Sequence, residues 1–280
     1  MKQIVKRLMP SFAKELVRAK LDKMRFDALP SKSCQVDNLR HVQDLSVNSI
    51  FDSQSLEGFW SESEKAIGQF GIPDSTGGVN PGDRRAVYYL ISSLKPTSVL
   101  EFGTHIGSST IHIAAAMSRY LPEKPEAKIT TVDIVDVNSD TDKHWLKHEA
   151  HHSPVGMVEA LGYGSHVEFI TADSVDYATN CQNSYDFIFL DGDHAPSAVY
   201  QEIPLACRML RPNGVILLHD YFPGMKPLWN DGSALPGPYM AVERLRKEGL
   251  KVEALPLGEL PWPTKRESNV TSLALLLRND

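Results

Sequence analysis

Two apolar runs in this chain end in groups that can do chemistry. Tyr185-Asp-Phe-Ile-Phe-Leu-Asp-Gly-Asp-His194 and Gly214-Val-Ile-Leu-Leu-His-Asp220 are short and rich in aromatic and β-branched residues, the pattern of buried strands. The first delivers Asp191, Asp193 and His194 at its carboxyl end, and the second delivers His219 and Asp220. Asp191 precedes His219 and Asp220 by 28 and 29 residues. Neighbouring parallel strands bring their ends together, so the five side chains are expected to converge on one crevice. Buried acids and histidines are costly unless they are paired, hydrogen-bonded or bound to a cation. Three uses fit these residue types: carboxylates holding a divalent ion, a histidine or aspartate accepting a hydroxyl proton, or Asp193 and His194 capping a helix that starts near Pro196.

Strands that present such groups need a framework, and the stretch Val99-Leu-Glu-Phe-Gly-Thr-His-Ile-Gly-Ser-Ser-Thr110 sets it. It reads as strand, glycine-spaced loop and apolar helix beginning near Ser109, with Gly103 and Gly107 letting a ligand approach the backbone at a helix N-terminus. The spacing Glu101-x-Gly103-x-x-x-Gly107 differs from the G-x-G-x-x-G of dinucleotide folds and argues against a nicotinamide or flavin dinucleotide. Strand and helix then alternate. A strand over Lys128–Asp133 ends in an acid 26 residues past Gly107, placed to hold a ribose diol or to cap a helix. A third strand, His166 to Thr171, leads into Ala172 and Asp173. This order implies a mostly parallel sheet with right-handed crossovers.

The glycine loop resembles motif I of the class I S-adenosylmethionine-dependent methyltransferases, and the resemblance runs through roughly residues 76 to 280. Within that class, Asp191 with His219 and Asp220 resembles the metal-dependent small-molecule O-methyltransferases, such as catechol O-methyltransferase and the sugar O-methyltransferases of antibiotic pathways. The resemblance implies a Rossmann-like, doubly wound α/β sheet of order 3-2-1-4-5-7-6 with a reversed last strand. It implies S-adenosylmethionine held by Glu101, Gly103, Thr104, Gly107, Ser109, Asp133, Asp173 and Asp191, with Glu101 on the methionine ammonium, Asp133 on the ribose and Asp173 on the adenine. It also implies a divalent cation, Mg²⁺ or Mn²⁺, on Asp191, His219 and Asp220. His219 stands where an acid is usual, a departure that favours manganese, iron, nickel or zinc over magnesium. Asp193 falls on the proposed base of the sugar enzymes, with His194 or His219 in reserve. The expected reaction is methyl transfer to a hydroxyl of a small polyhydroxylated acceptor, a natural-product sugar or a catechol-like ring. The rival readings are a metal-independent methyltransferase with a His or Asp base, an oxygenase resembling cephalosporin hydroxylases, and a cofactor-binding scaffold.

Composition sets the outer bounds. The chain has 280 residues and a net charge of −6, so no basic face for nucleic acid is indicated. Its three cysteines, Cys34, Cys181 and Cys207, have no metal or disulfide spacing, which reads as cytoplasmic. No apolar run is long enough to span a bilayer. Residues 1–75 read as a helical arm and cap, and residues 76–280 as the methyltransferase domain. Basic and apolar residues over 2–26 predict two amphipathic helices broken at Pro10 and Ser11, a face for the chain's own domain or a second copy. A turn-rich segment, Ser75 to Asp83, leads into a helix from Arg84 to Leu94 and is expected over the cofactor. The insertion between Asp133 and His166 carries Asp142, His144, His148, His151 and His152. His144 and His148 are spaced to share a helix face, but no H-E-x-x-H pattern accompanies them, and the segment is read as polar surface on the substrate side. Tyr221 to Pro238, with Trp229, is expected to line the acceptor pocket.

Overall fold

Side-chain alternation along the central strands decides the architecture. In β1 (Ser98–Phe102), β4 (Tyr185–Leu190) and β5 (Leu210–Leu218), Val99, Phe187, Phe189, Val215 and Leu217 fall in one apolar cluster, while Leu100, Phe102, Ile188, Leu190, Ile216 and Leu218 fall in another. A strand with both faces apolar must be covered on both sides. The computed structural model describes residues 11–74 and 78–279 and provides that cover with nine α-helices. With β2 (Lys128–Asp133), β3 (Val167–Thr171), β6 (Val252–Pro256) and β7 (Ala274–Arg278), the sheet has seven strands in the order β3-β2-β1-β4-β5-β7-β6. β7 runs antiparallel to both β5 and β6, and every other pairing is parallel. This is the doubly wound order with a reversed last strand that the family resemblance implies.

On the first face lie α2 (Val47–Phe51), α3 (Gln54–Ile67), α4 (Pro81–Leu94), α5 (Ser108–Ser118) and α6 (Pro154–Ala160). On the second lie α7 (Ser174–Asn180), α8 (Pro196–Met209) and α9 (Gly237–Lys247), with α1 (Ser11–Ala28) packed on α8. Residues ahead of the sheet are part of both cores: Ile50, Phe51, Trp60, Ile67 and Phe70 join the first cluster and Phe26 the second. Phe26 meets Tyr200 edge-on at 5.6 Å, and the Tyr200 hydroxyl donates to the Pro30 carbonyl at 3.1 Å. Each such fully buried aromatic contributes roughly 1.5–3 kcal/mol of apolar burial. The first of the two expected N-terminal helices lies outside the described residues.

Among the element starts that differ from the sequence reading, two bear on the site. α4 begins at Pro81 instead of Arg84, because Asn80 caps it by accepting the Asp83 N–H and Pro81 occupies the first turn. β5 begins at Leu210 instead of Gly214, since Leu210 pairs with Tyr185 across an irregular register step. Among the described residues, no helix is long and apolar enough to cross a membrane.

Candidate active site

The strand ends are stitched to one another before any side chain is considered. The N–H of Gly103 donates to Val132, that of Asp191 to Phe102, that of Ala172 to Asp133 and that of His219 to Leu190, all at 2.8–3.1 Å. Gly103, with φ 93°, is forced by this closeness: a Cβ there would lie 2.1 Å from the Asp191 carbonyl oxygen. Beside these ends opens a cleft of about 550 Å³ bordered by Gly78, Gly103, Asp133, Asp173, Asp191 and His194, among others. The Gly78 contact places one end of the turn-rich segment at the cleft, and Ser75–Gly77 lie outside the described residues. A second cleft, of about 590 Å³, is lined by Cys34, Asn38, Cys207 and Arg208 and holds none of the strand-end acids.

On the β1–β3 side, the two acids at the cleft are tied to backbone. Asp133 accepts from the His105 N–H at 2.8 Å and the Val135 N–H at 2.9 Å. Asp173 caps α7, one oxygen accepting from the N–H groups of Val175 and Asp176. Glu101 lies beneath the glycine loop, fully buried, and its Oε2 accepts from the hydroxyls of Thr110 at 2.5 Å and Thr131 at 2.7 Å. Its Oε1 is enclosed without a hydrogen-bond partner. Burial raises the Glu101 carboxyl to about 7, outweighing the hydroxyls of Ser109, Thr110 and Thr131 that favour the carboxylate. Thr104 is also buried and shares a 2.6 Å hydrogen bond with Thr131. Glu101, Thr104 and Ser109 therefore sit under the loop, while Gly103, Asp133, Asp173 and Asp191 border the cleft. Gly107, with φ 78°, precedes α5 and packs against Pro154.

On the β4–β5 side, the side chains meet each other. Phe189 pairs with Leu217, so Asp191 and His219, two residues further along each strand, fall on the same face. Asp191 Oδ1 stands 2.9 Å from His219 Nδ1, and Asp220 Oδ2 stands 3.4 Å from the same nitrogen. His194 Nε2 is 3.4 Å from Asp220 Oδ2 and 3.9 Å from Asp191 Oδ1. Asp193 is exposed, and its Oδ1 accepts from the Ala195 N–H ahead of α8. Asp220 has φ 52°, a left-handed conformation that aims its carboxylate back at His219.

Asp83, a residue that the sequence reading missed, completes the cluster from α4. It is fully buried, and its Oδ2 lies 3.4 Å from His219 Nε2. Asn80 donates to that oxygen at 2.6 Å, and Thr271 donates to Oδ1 at 2.5 Å. The first turn of α4 is held from outside by Trp262, whose indole N–H donates to the Gly82 carbonyl at 2.9 Å. His219 is thus enclosed by three carboxylates. Burial opposes its charged form, yet the charges of Asp191 and Asp220 outweigh burial and hold the imidazole well above its ordinary value. Asp220 moves the opposite way: burial would raise it, but His219 and His194 hold it well below the usual carboxylate range. Despite the short approaches, neither His219 nitrogen has an aligned hydrogen-bond partner. One ligand atom each from Asp191, His219 and Asp220 lies within 4.8 Å of the others.

Residues 100–221, from β1 to just past Asp220, match the family described as "Methyltransferase domain". The O-methyltransferase TomG from Streptomyces achromogenes, involved in tomaymycin synthesis and solved with S-adenosylmethionine, is 18% identical. The likeness covers 79% of this chain and 90% of that one with a TM-score of 0.52. The Podospora anserina methyltransferase PaMTH1, solved with S-adenosylhomocysteine, is 17% identical over 82% and 97% of the two chains, with a TM-score of 0.51. An O-methyltransferase from Bacillus cereus, also solved with S-adenosylhomocysteine, is 16% identical over 93% and 97%, with a TM-score of 0.50. No curated protein matches this chain. The protein has the class I S-adenosylmethionine-dependent methyltransferase fold, and the stretch that matches the methyltransferase family model runs through its central strands β1 to β5.

Proposed function

We propose that the protein transfers a methyl group from S-adenosylmethionine to a hydroxyl of a small polyhydroxylated acceptor, a natural-product sugar or a catechol-like ring, assisted by a divalent cation. Asp191 carries the reading, because it borders the cleft of the glycine loop and also stands 2.9 Å from His219 in the acid–histidine cluster. In this reading Asp133 receives the ribose hydroxyls through the second lone pairs of oxygens that each already accept one backbone N–H, and Asp173 receives the adenine amine through Oδ2, since its backbone bonds fall on Oδ1. Glu101, Thr104 and Ser109 act from beneath, holding the loop so that Gly103 and the turn at Gly107 approach the cofactor closely.

The donor set suits a divalent ion. Two carboxylates and an imidazole whose buried nitrogens lack aligned partners offer oxygen and nitrogen together, a combination that favours manganese, iron or zinc over magnesium. Such an ion lowers the pKa of an acceptor hydroxyl. The chain supplies positioning and proton handling. His219, held protonated by its carboxylates when no ion is bound, orients Asp191 and Asp220 instead of accepting a proton itself. The hydroxyl proton passes to Asp193 or His194, which both border the cleft. The rigid strand ends fix donor and acceptor, and methyl transfer needs little beyond in-line placement.

The test is methyl transfer from labelled S-adenosylmethionine to catechol by chelator-treated protein, with and without Mn²⁺ or Mg²⁺. Product that requires both cofactor and ion is the expected result. Equal product without any ion would leave a methyltransferase with an Asp or His base. The imidazole in the donor set is the observation that favours the oxygenase reading, and iron-dependent oxygen consumption with no need for S-adenosylmethionine would replace the proposal with it.

A further inference from the structure

A second set of donors stands at the other lip of the cleft, apart from the acid–histidine cluster. His105 lies in the glycine loop between Gly103 and Gly107, and His144 and His148 end the short 3₁₀ turn, His144–His148, in the insertion that follows β2. His144 Nε2 is 3.3 Å from His105 Nδ1, and the ring centres of His148 lie 4.2 Å from His105 and 4.7 Å from His144. One nitrogen from each ring lies within 4.8 Å of the others. Two nitrogens bound to one tetrahedral ion at 2.0–2.1 Å are separated by about 3.3 Å, so the first pair already stands at ligation distance.

The three rings are held there by packing. Trp145, inside the turn, is buried in a small cluster with Ile106 and Ala150, which pins the insertion to the glycine loop next to His105. The turn is bounded by two left-handed residues, Lys143 with φ 44° and Glu149 with φ 61°, and His105 is itself left-handed with φ 50° and donates its N–H to Asp133. Strained backbone on both sides of a contact is retained where the surroundings fix it. Sequence spacing alone gave only the pair His144 and His148, and the fold adds the third donor from 39 residues upstream of the first. Three imidazoles without a carboxylate suit zinc, copper or nickel and not magnesium or calcium.

We propose that His105, His144 and His148 bind a borderline transition-metal ion of the zinc class, which clamps the insertion onto the glycine loop. His105 and His148 border the cleft, so the ion's remaining position is left to water or to a molecule in the cleft. The proposal is independent of the methyl-transfer reading, since it needs neither cofactor nor acceptor.

The experiment is Zn²⁺ titration of chelator-treated full-length protein against a competing colorimetric chelator, with thermal unfolding recorded alongside. It is run on the wild type, on His144→Ala and His148→Ala, and on the Asp191→Asn/Asp220→Asn double variant. The expected result is a tight zinc equivalent that the aspartate double variant retains and that is weakened at least tenfold in each histidine variant, whatever further zinc the acid–histidine cluster takes up in the wild type. Zinc should raise the melting temperature of the wild type by more than that of the histidine variants, while the metal-free melting temperatures agree, showing that the variants fold. X-ray absorption of the zinc-loaded double variant should show nitrogen and oxygen neighbours with several imidazoles. Loss of the tight equivalent in the aspartate variant with retention in the histidine variants would place zinc at the other cluster and overturn the proposal. Absence of tight zinc binding in the wild type would overturn it as well.

Discussion

The two sides of the cleft are built on different principles. On the β1–β3 side the two acids that border the cleft are satisfied by neighbouring backbone: Asp133 by His105 and Val135, Asp173 by the first turn of α7. On the β4–β5 side the groups satisfy one another, with His219 enclosed by Asp83, Asp191 and Asp220 and approached through Asp220 by His194. The first arrangement is local and fixes shape, as a ligand that is only held requires. The second is coupled: the charges of Asp191 and Asp220 raise His219, and those of His219 and His194 lower Asp220. The proton transfer and cation binding proposed for this side would draw on that coupling.

The comparison can be broken most sharply where the two sides touch, at Gly103. A Gly103→Ala variant puts a Cβ against the Asp191 carbonyl oxygen at a φ of 93°. Strain and overpacking together should cost on the order of 4 kcal/mol, measured by urea unfolding, and cofactor binding should fail even in the fraction that folds. A variant with near wild-type stability would mean that the strand ends are not stitched as described.

Glu101 gives the next largest effect, and its sign is fixed by linkage. Its folded carboxyl sits at about 7 against an ordinary 4.5, so between those pH values the folded chain keeps a proton that the unfolded chain has lost. Stability contributed by the protonated form is full below pH 4.5 and is lost as pH rises through about 7. Relative to Glu101→Gln, which cannot titrate, the wild type should lose up to ~3 kcal/mol across that window. Parallel stability–pH curves for the two proteins would show that the buried carboxyl ionises as an exposed one does.

On the coupled side, Asp191→Asn and Asp220→Asn should each lower methyl transfer about 100-fold or more, while calorimetric affinity for S-adenosylmethionine stays within about threefold in Asp220→Asn. Cofactor affinity that falls as far as the rate would erase the distinction between the two sides. The smallest effect belongs to the cap: Asp173→Ala removes the acceptor for the N–H groups of Val175 and Asp176 and should cost ~1 kcal/mol of stability. Full retention of stability would show that this short helix draws nothing from its cap.

What the sequence could tell follows the same division. The bounds of β2, the glycine loop and the convergence of Asp191, His194, His219 and Asp220 were legible, because period-two alternation and strand-end placement are written in consecutive residues, while the strand order followed from the family resemblance. Asp83 was not. It reaches His219 from 136 residues away, and its burial is imposed by Trp262 and Thr271, which no local pattern announces. The nearby signal that could have moved attention there is Asn80-Pro81, a helix start that was read as part of a turn. His105 was hidden in the same way: the glycines around it mark a ligand loop, but only the docking of Trp145 on Ile106 brings His144 and His148 to it. Glu101 was found by pattern, yet its enclosure beneath the loop depends on Thr110 and Thr131 from two different elements.

The central claim, that one side of the cleft holds a methyl donor and the other a cation-dependent acceptor, is tested most directly by calorimetry on chelator-treated protein. S-adenosylmethionine is titrated first, and catechol second, with and without Mn²⁺. The account expects cofactor binding without added metal and catechol binding only once Mn²⁺ is present. Absence of cofactor binding, or catechol binding indifferent to Mn²⁺, would contradict it.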